Sequence, residues 1–336
     1  MKTATLGSTG VRVTELSFGA AGIGNLYRPI TDEAALATVD AAWDAGIRTF
    51  DTAPHYGLGL SERRLGAALR ERPRNTYTVS TKVGRLLEPD PQGGKGDDLA
   101  HGFAVSDTHR RVWDFSADGV LRSLEASLQR LGLDRVDVAL LHDPDDHADQ
   151  ALREAYPALE RLRAEGVIGA IGVGMNQCAL PARFLRETDI DVVLLAGRYT
   201  LLEQEGLAET LPEAAARGRS VIIGGVFNSG LLIAPEPGAM YDYAPAPQPV
   251  LDRALRLKAV AEHHGVPLRS AALHFPHGHP AVASVLTGAR SAEEVRDTVA
   301  QLRHPVPPAL WDELRAEGLL APDTPTPAGT PSEKQP

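Results

Sequence analysis

The feature that most constrains this chain is a rhythm. Short apolar runs with strand character fall at residues 16–20, 48–53, 77–83, 136–142, 168–173, 192–195, 220–226 and 282–287, and helix-patterned segments lie between them. The 31–45 segment is representative. Ala35, Val39, Ala42 and Trp43 recur at helical spacing, Thr31 supplies an N-cap oxygen and Gly46 a stop. Ser61 and Ser116 are read as the caps of the next two helices. Strands that are apolar throughout suit a parallel sheet covered on both faces. About eight strand–helix units in 336 residues predict a (β/α)₈ barrel, a TIM barrel of the α/β class. A doubly wound sheet is the competitor, because it has the same alternation.

The flanks refine this. Residues 4–16 (ATLGSTGVRVTEL) predict an N-terminal β-hairpin turning at 8–10, placed to plug the N-terminal mouth of a barrel. Long loops are expected at 84–114 and 227–250. Each follows a strand C-terminus, the face on which barrel enzymes build their sites. One barrel domain is expected over 1–320, with a Pro/Thr-rich disordered tail over 321–336. The net charge of −10 argues against nucleic acid or an anionic membrane as partner. Cys178 is the only cysteine, the first residues lack an apolar signal core, and no apolar run would span a bilayer. A cytoplasmic location is the expectation.

Chemistry gathers at the strand ends. The second strand ends on Asp51 with Tyr56 beyond it, the third carries Lys82, and the fourth ends on His142. Each alone has an ordinary role: a turn cap, a snorkelling amine, a rim histidine. Together, on consecutive parallel strands, they would converge on one face. A phenol near pKa 10 is a poor proton relay at neutrality, but an ammonium beside it favours the phenolate. Lys82 can act this way on Tyr56, Asp51 can hold Lys82 charged, and His142 can donate to a substrate oxygen. Tyr56 then serves as general acid or base in a carbonyl–alcohol interconversion, with the electrons carried by a cofactor such as nicotinamide.

The stretches LGSTGVRVTELSFG, FDTAPHYG, SERRLGAAL, STK and LRSLEASLQRLGLDRVDVALLH resemble the aldo-keto reductase superfamily, over about residues 1–303 and in order. The resemblance implies the barrel, NAD or NADP across its C-terminal face, and Asp51, Tyr56, Lys82 and His142 as catalytic tetrad. It also implies cofactor contacts from Gly19, Asn176, Gly224, Phe227, Thr287, Gly288, Arg290 and Glu294. The motif IGVGMN is thereby a strand end and not a dinucleotide turn. Asn176 falls one residue later than the family's nicotinamide-holding Asn. Ala196 replaces a usual Gln, and Gly224 stands where relatives often place a stacking Tyr. GVGMNQ, AGRYTLL, GGVFNSG and LLHDP are similar to the sugar-oxidising branch, which acts on free aldoses such as L-fucose or on pyridoxal. A sugar or aldehyde substrate is therefore expected. Arg290 would suit a 2′-phosphate, but Glu293 and Glu294 would repel one, so NAD is favoured over NADP. Trp113, Arg198 and Asn228 are the substrate-binding candidates. Other readings of the fold are a general aldehyde reductase, a redox-sensing barrel with little turnover, and a Schiff-base lyase, which the pairing of Lys82 with Tyr56 and Asp51 disfavours. His263–His264 and His274, His277 and His279 are read as surface histidines, with no metal site expected.

Overall fold

The computed structural model describes residues 1–242 and 244–328. The eight strands are β1 (Leu16–Gly19), β2 (Thr49–Asp51), β3 (Thr78–Val83), β4 (Val138–His142), β5 (Ala170–Met175), β6 (Val192–Ala196), β7 (Ser220–Gly224) and β8 (Val282–Gly288). They pair in parallel and in order, and β8 closes on β1 through the register Val285–Leu16 to Gly288–Gly19. Closure decides for the barrel over the open sheet. The hairpin Thr3–Thr5/Arg12–Thr14 forms as expected. Its Leu6 and Val13 pack with Val138, Leu140, Val192 and Ile222 in the barrel interior.

The two-residue period of a strand sorts side chains to opposite faces. On β3, Lys82 and Ser80 reach Asp51, while Thr81 turns the other way to donate to buried Glu62 at 2.8 Å. Phe50, Val79, Leu141, Val173, Leu195 and Ile223 face the helical layer and join its core. Helix ends follow the expected chemistry at Thr31 and Ser116, whose side chains accept from Ala34 N and Gly119 N. Ser61 does not cap. Its hydroxyl donates to Ala20 O and bonds Thr52 Oγ1, and the helix Leu60–Leu69 begins instead at left-handed Gly59.

The long third loop is ordered as two antiparallel ribbons, Arg85–Pro89/His109–Trp113 and Asp97–Asp98/Phe103–Ser106. Residues 321–328, expected to be disordered, lie against the barrel. Thr324 is buried, and Arg315 donates to Thr324 O and Thr326 Oγ1. The rest of the expected tail, 329–336, lies outside the described residues. Among the described residues no helix is long and apolar enough to cross a membrane.

Candidate active site

Asp51, Lys82 and His142 stand at the C-terminal ends of β2, β3 and β4, all nearly inaccessible. Tyr56 comes from the β2–helix loop, which is held by Tyr56 N→Ala53 O and Gly59 N→Pro54 O. Gly57 explains the Tyr-Gly pair. It sits at φ +60°, and a Cβ there would lie 2.2 Å from Gly24 O, so only glycine lets this loop close on the β1 side.

Lys82 Nζ organises the centre. It donates to Asp51 Oδ2 at 2.6 Å, to Tyr56 Oη at 3.0 Å and to Thr52 O at 3.0 Å. Ser80 Oγ donates to the other Asp51 oxygen at 2.7 Å. Burial alone would discharge Lys82, but Asp51 and the Tyr56 oxygen together raise its pKa above the ordinary value. Tyr56 differs from the expectation. Burial pushes its pKa up and outweighs the lowering by Lys82, so the resting side chain is the neutral phenol. His142 is pushed well below its usual range by burial, then by Arg85 and Lys82, and is therefore a neutral imidazole. Its Nδ1 has no hydrogen-bond partner among the described residues. Arg85, which pairs with Asp143, supplies much of the positive field.

The phenol and imidazole open into a cavity of about 550 Å³ lined by Leu26, Tyr27, His55, Phe103, His142 and Asn176, among others. A second cavity of about 510 Å³ shares Ala21, Leu26, Tyr27, Tyr56, Leu194 and Ala196 with it. This one runs over Gly19, Gly224 and Phe227 to Gly288, Arg290 and Glu294. Thr287 is buried within β8 beside it and does not line it. Three glycines along the second cavity leave it without side chains there. A Cβ on Gly19, Gly224 or Gly288 would meet its neighbours only at ordinary contact distance, 3.4–3.6 Å, so the space above is left for something flat. The groove runs from Tyr56 to Arg290, Glu294, Arg269, Asp297 and Gln301, and a nicotinamide dinucleotide would suit its length and polar far end. Glu294 accepts from Arg290 N at 2.7 Å and lies 3.7 Å from Arg28.

The three substrate candidates fall elsewhere. Trp113 stands 42% exposed at the ribbon end, with Arg85 over its ring at 5.4 Å, and lines a separate hollow with Asp143 and His147. Arg198 donates to both Asp242 oxygens. Asn228 is buried and accepts from Thr200 Oγ1 at 2.8 Å. Asp242 claims Arg198, whereas Asn228 keeps Nδ2 without a partner among the described residues but lines neither cavity. The apolar wall of the cavity comes instead from Phe103 and Leu99. His55, Arg85 and Asp143 are cavity residues missed in the sequence, though each is adjacent in the chain to a tetrad residue or within three positions of one.

The histidines of 274–279 also differ from the surface expectation, whereas His263 is exposed. His279 is buried against Tyr199, and His277 Nε2 is buried without a partner among the described residues. His263 and His264 share Glu313 at 3.0 and 2.8 Å, which are hydrogen-bond separations, on the outer helices Gln248–His263 and Pro308–Ala316.

Similarity to known proteins agrees with this geometry. The chain is 46% identical to a D-threo-aldose 1-dehydrogenase from Pseudomonas sp, covering 94% of this chain and 97% of that protein. It is 42% identical to a pyridoxal 4-dehydrogenase from Microbacterium luteolum, with coverage of 94% and 97%. The solved holo form of an aldo-keto reductase from Bacillus halodurans superposes with a TM-score of 0.74 at 26% identity, covering 100% of both chains. The Aldo/keto reductase family model matches residues 15–316. With a closed parallel barrel and a buried Asp–Lys–Tyr unit at its C-terminal mouth, the chain belongs to the aldo/keto reductase family of NAD(P)-dependent oxidoreductases.

Proposed function

We propose that this chain is an aldose 1-dehydrogenase that oxidises the anomeric hydroxyl of a free sugar to the lactone, with NAD preferred over NADP. The observation that carries it is Tyr56 Oη held 3.0 Å from a Lys82 that is itself locked to Asp51. The 46% identity to a D-threo-aldose 1-dehydrogenase supports the substrate class. When bound, the nicotinamide supplies the hydride acceptor. The residues handle the proton and the oxygen. His142, neutral, donates N–H to the substrate oxygen. Tyr56 Oη, as phenolate, takes the hydroxyl proton while the C–H hydride departs and the C=O forms. Lys82 stabilises that phenolate, and Asp51 keeps Lys82 charged. In reverse, the resting phenol is the general acid that protonates a carbonyl oxygen.

Gly19, Gly224, Phe227, Gly288, Arg290 and Glu294 are proposed to hold the dinucleotide, with Asn176 near its reactive end. NAD is proposed over NADP because Glu294 presents a carboxylate beside Arg290, which would repel a 2′-phosphate brought to that arginine. A second reading is oxidation of pyridoxal, a cyclic hemiacetal, supported by the 42% identity to a pyridoxal 4-dehydrogenase. The test is nicotinamide reduction by purified protein with NAD⁺ or NADP⁺ against L-fucose, D-arabinose, L-galactose, L-xylose, D-glucose and pyridoxal. Turnover of one stereochemical set of sugars is expected. Turnover of pyridoxal alone selects the second reading, and silence across the panel refutes both.

A further inference from the structure

Beside the tetrad lies a buried polar unit to which the mechanism above assigns no role. Asp98 and Arg111, on the two ribbons of the third loop, are almost wholly buried against each other, with Arg111 Nη1 donating to Asp98 Oδ1 at 2.8 Å. The same guanidinium turns its Nε to His55 Nδ1 at 2.5 Å and its Nη2 to His55 O at 3.2 Å. A guanidinium only donates, so Nδ1 is the acceptor and the proton of the neutral ring is on Nε2. His55 stays neutral, since burial and then Arg111 and Arg85 push its pKa to about 2. Nε2 has no hydrogen-bond partner among the described residues, yet it is not sealed off, and His55 lines the cavity. Its ring centroid is 5.8 Å from that of His142 and 6.0 Å from that of Tyr56. Desolvating an ion pair is a poor route to stability, but this pair orients a donor at the reaction centre.

We propose that His55 is a specificity residue, donating Nε2–H to an oxygen on the carbon next to the reacting one, and that Arg111, locked by Asp98, is its positioning residue. The preferred substrates are then α-hydroxy carbonyl compounds and their cyclic forms. A substrate oxygen shared by Tyr56 and His142 leaves the neighbouring carbon's hydroxyl on the His55 side. This rests on the cavity at Tyr56 being the substrate site, and it deepens the aldose reading.

Two three-carbon aldehydes, glyceraldehyde and propanal, test it, since they differ only in hydroxyls. Their reduction with NADH and NADPH is compared in the wild type, His55→Phe, His55→Gln and Arg111→Met. The readout is the ratio of kcat/KM for glyceraldehyde over propanal, from which any loss common to both aldehydes cancels. The wild type should favour glyceraldehyde. The ratio should fall about tenfold in His55→Phe, the scale of one neutral hydrogen bond. It should recover in His55→Gln, which keeps an N–H donor. It should fall in Arg111→Met through KM more than kcat. A wild type indifferent to the hydroxyls, or a ratio unmoved by His55→Phe, overturns the proposal. Failure of the aldose reading shows separately, as a wild type that reduces glyceraldehyde but oxidises no sugar.

Discussion

Asp51→Asn is the most informative single change, because it alters one charge and almost no volume. Asp51 Oδ2 lies 2.6 Å from Lys82 Nζ, and both side chains are almost inaccessible. Two unit charges at that separation, with an effective dielectric near 20, interact by about 6 kcal/mol, several factors of ten in proton affinity. Asp51 is the largest influence opposing burial at Lys82. Without it, burial wins and the Lys82 pKa falls below its ordinary value. Two consequences have opposite signs in the two proteins. In the wild type the raised Lys82 pKa stabilises the fold at all pH values below about 10.4, a contribution lost as pH climbs above that. In Asp51→Asn the unfolded chain binds the proton more tightly than the folded one, so stability rises with pH from the depressed pKa up to about 10.4. Thermal unfolding at closely spaced pH values should therefore show the difference in Tm between wild type and variant shrinking from neutrality toward pH 10. Turnover should fall by about 10²–10⁴-fold, the usual worth of a positioned acid–base group. Because a neutral Lys82 cannot support the phenolate, the variant's kcat/KM for oxidation should also drop relative to the wild type as pH rises. Parallel pH profiles in both measurements would refute the account of Asp51 as the charge that keeps Lys82 protonated.

Tyr56→Phe should abolish turnover while leaving dinucleotide binding, read by quenching of protein fluorescence. Since burial raises the Tyr56 pKa, wild-type oxidation should climb through the alkaline range while reduction does not; the two pH–rate profiles measured on one preparation check this. His55, His142 and His277 are all held neutral below the usual histidine range, His277 at about 4. The unfolded chain therefore takes up protons first as pH falls through about 6.5, and Tm should decline from there toward pH 4, by calorimetry. Gly66→Ala should destabilise by about 2 kcal/mol or more, read as a lower urea midpoint, because the new Cβ would lie 1.9 Å from Leu131 O in the adjoining helix.

The barrel was legible because burial on both faces imposes apolar strands, and capping chemistry marks helix ends locally. The tetrad was legible for a related reason. Parallel closure sends every strand C-terminus to one face, so residues far apart in sequence can be assigned to one site from their position in the strand. The same logic fails in the loops. Trp113, Arg198 and Asn228 had suitable chemistry for a pocket, but Arg198 is drawn to Asp242, Asn228 is buried away from both cavities, and ribbon pairing carries Trp113 to a neighbouring hollow. Phe103 and Arg111 enter the site only because the third loop folds into ribbons, which no short pattern in that stretch announces.

By itself, then, the order of residues determined the eightfold strand–helix alternation, the hairpin plug and the three strand-end groups with the tyrosine just beyond one of them, since these follow from period, capping and position along a strand. Only the tertiary structure decided the protonation of those groups. Tyr56 rests as a phenol and His142 as a neutral imidazole because burial withholds the solvation that would stabilise their ions. Likewise, the His55 tautomer depends on an arginine 56 positions away, brought within hydrogen-bond reach by loop ribbons whose pairing is a property of the folded chain.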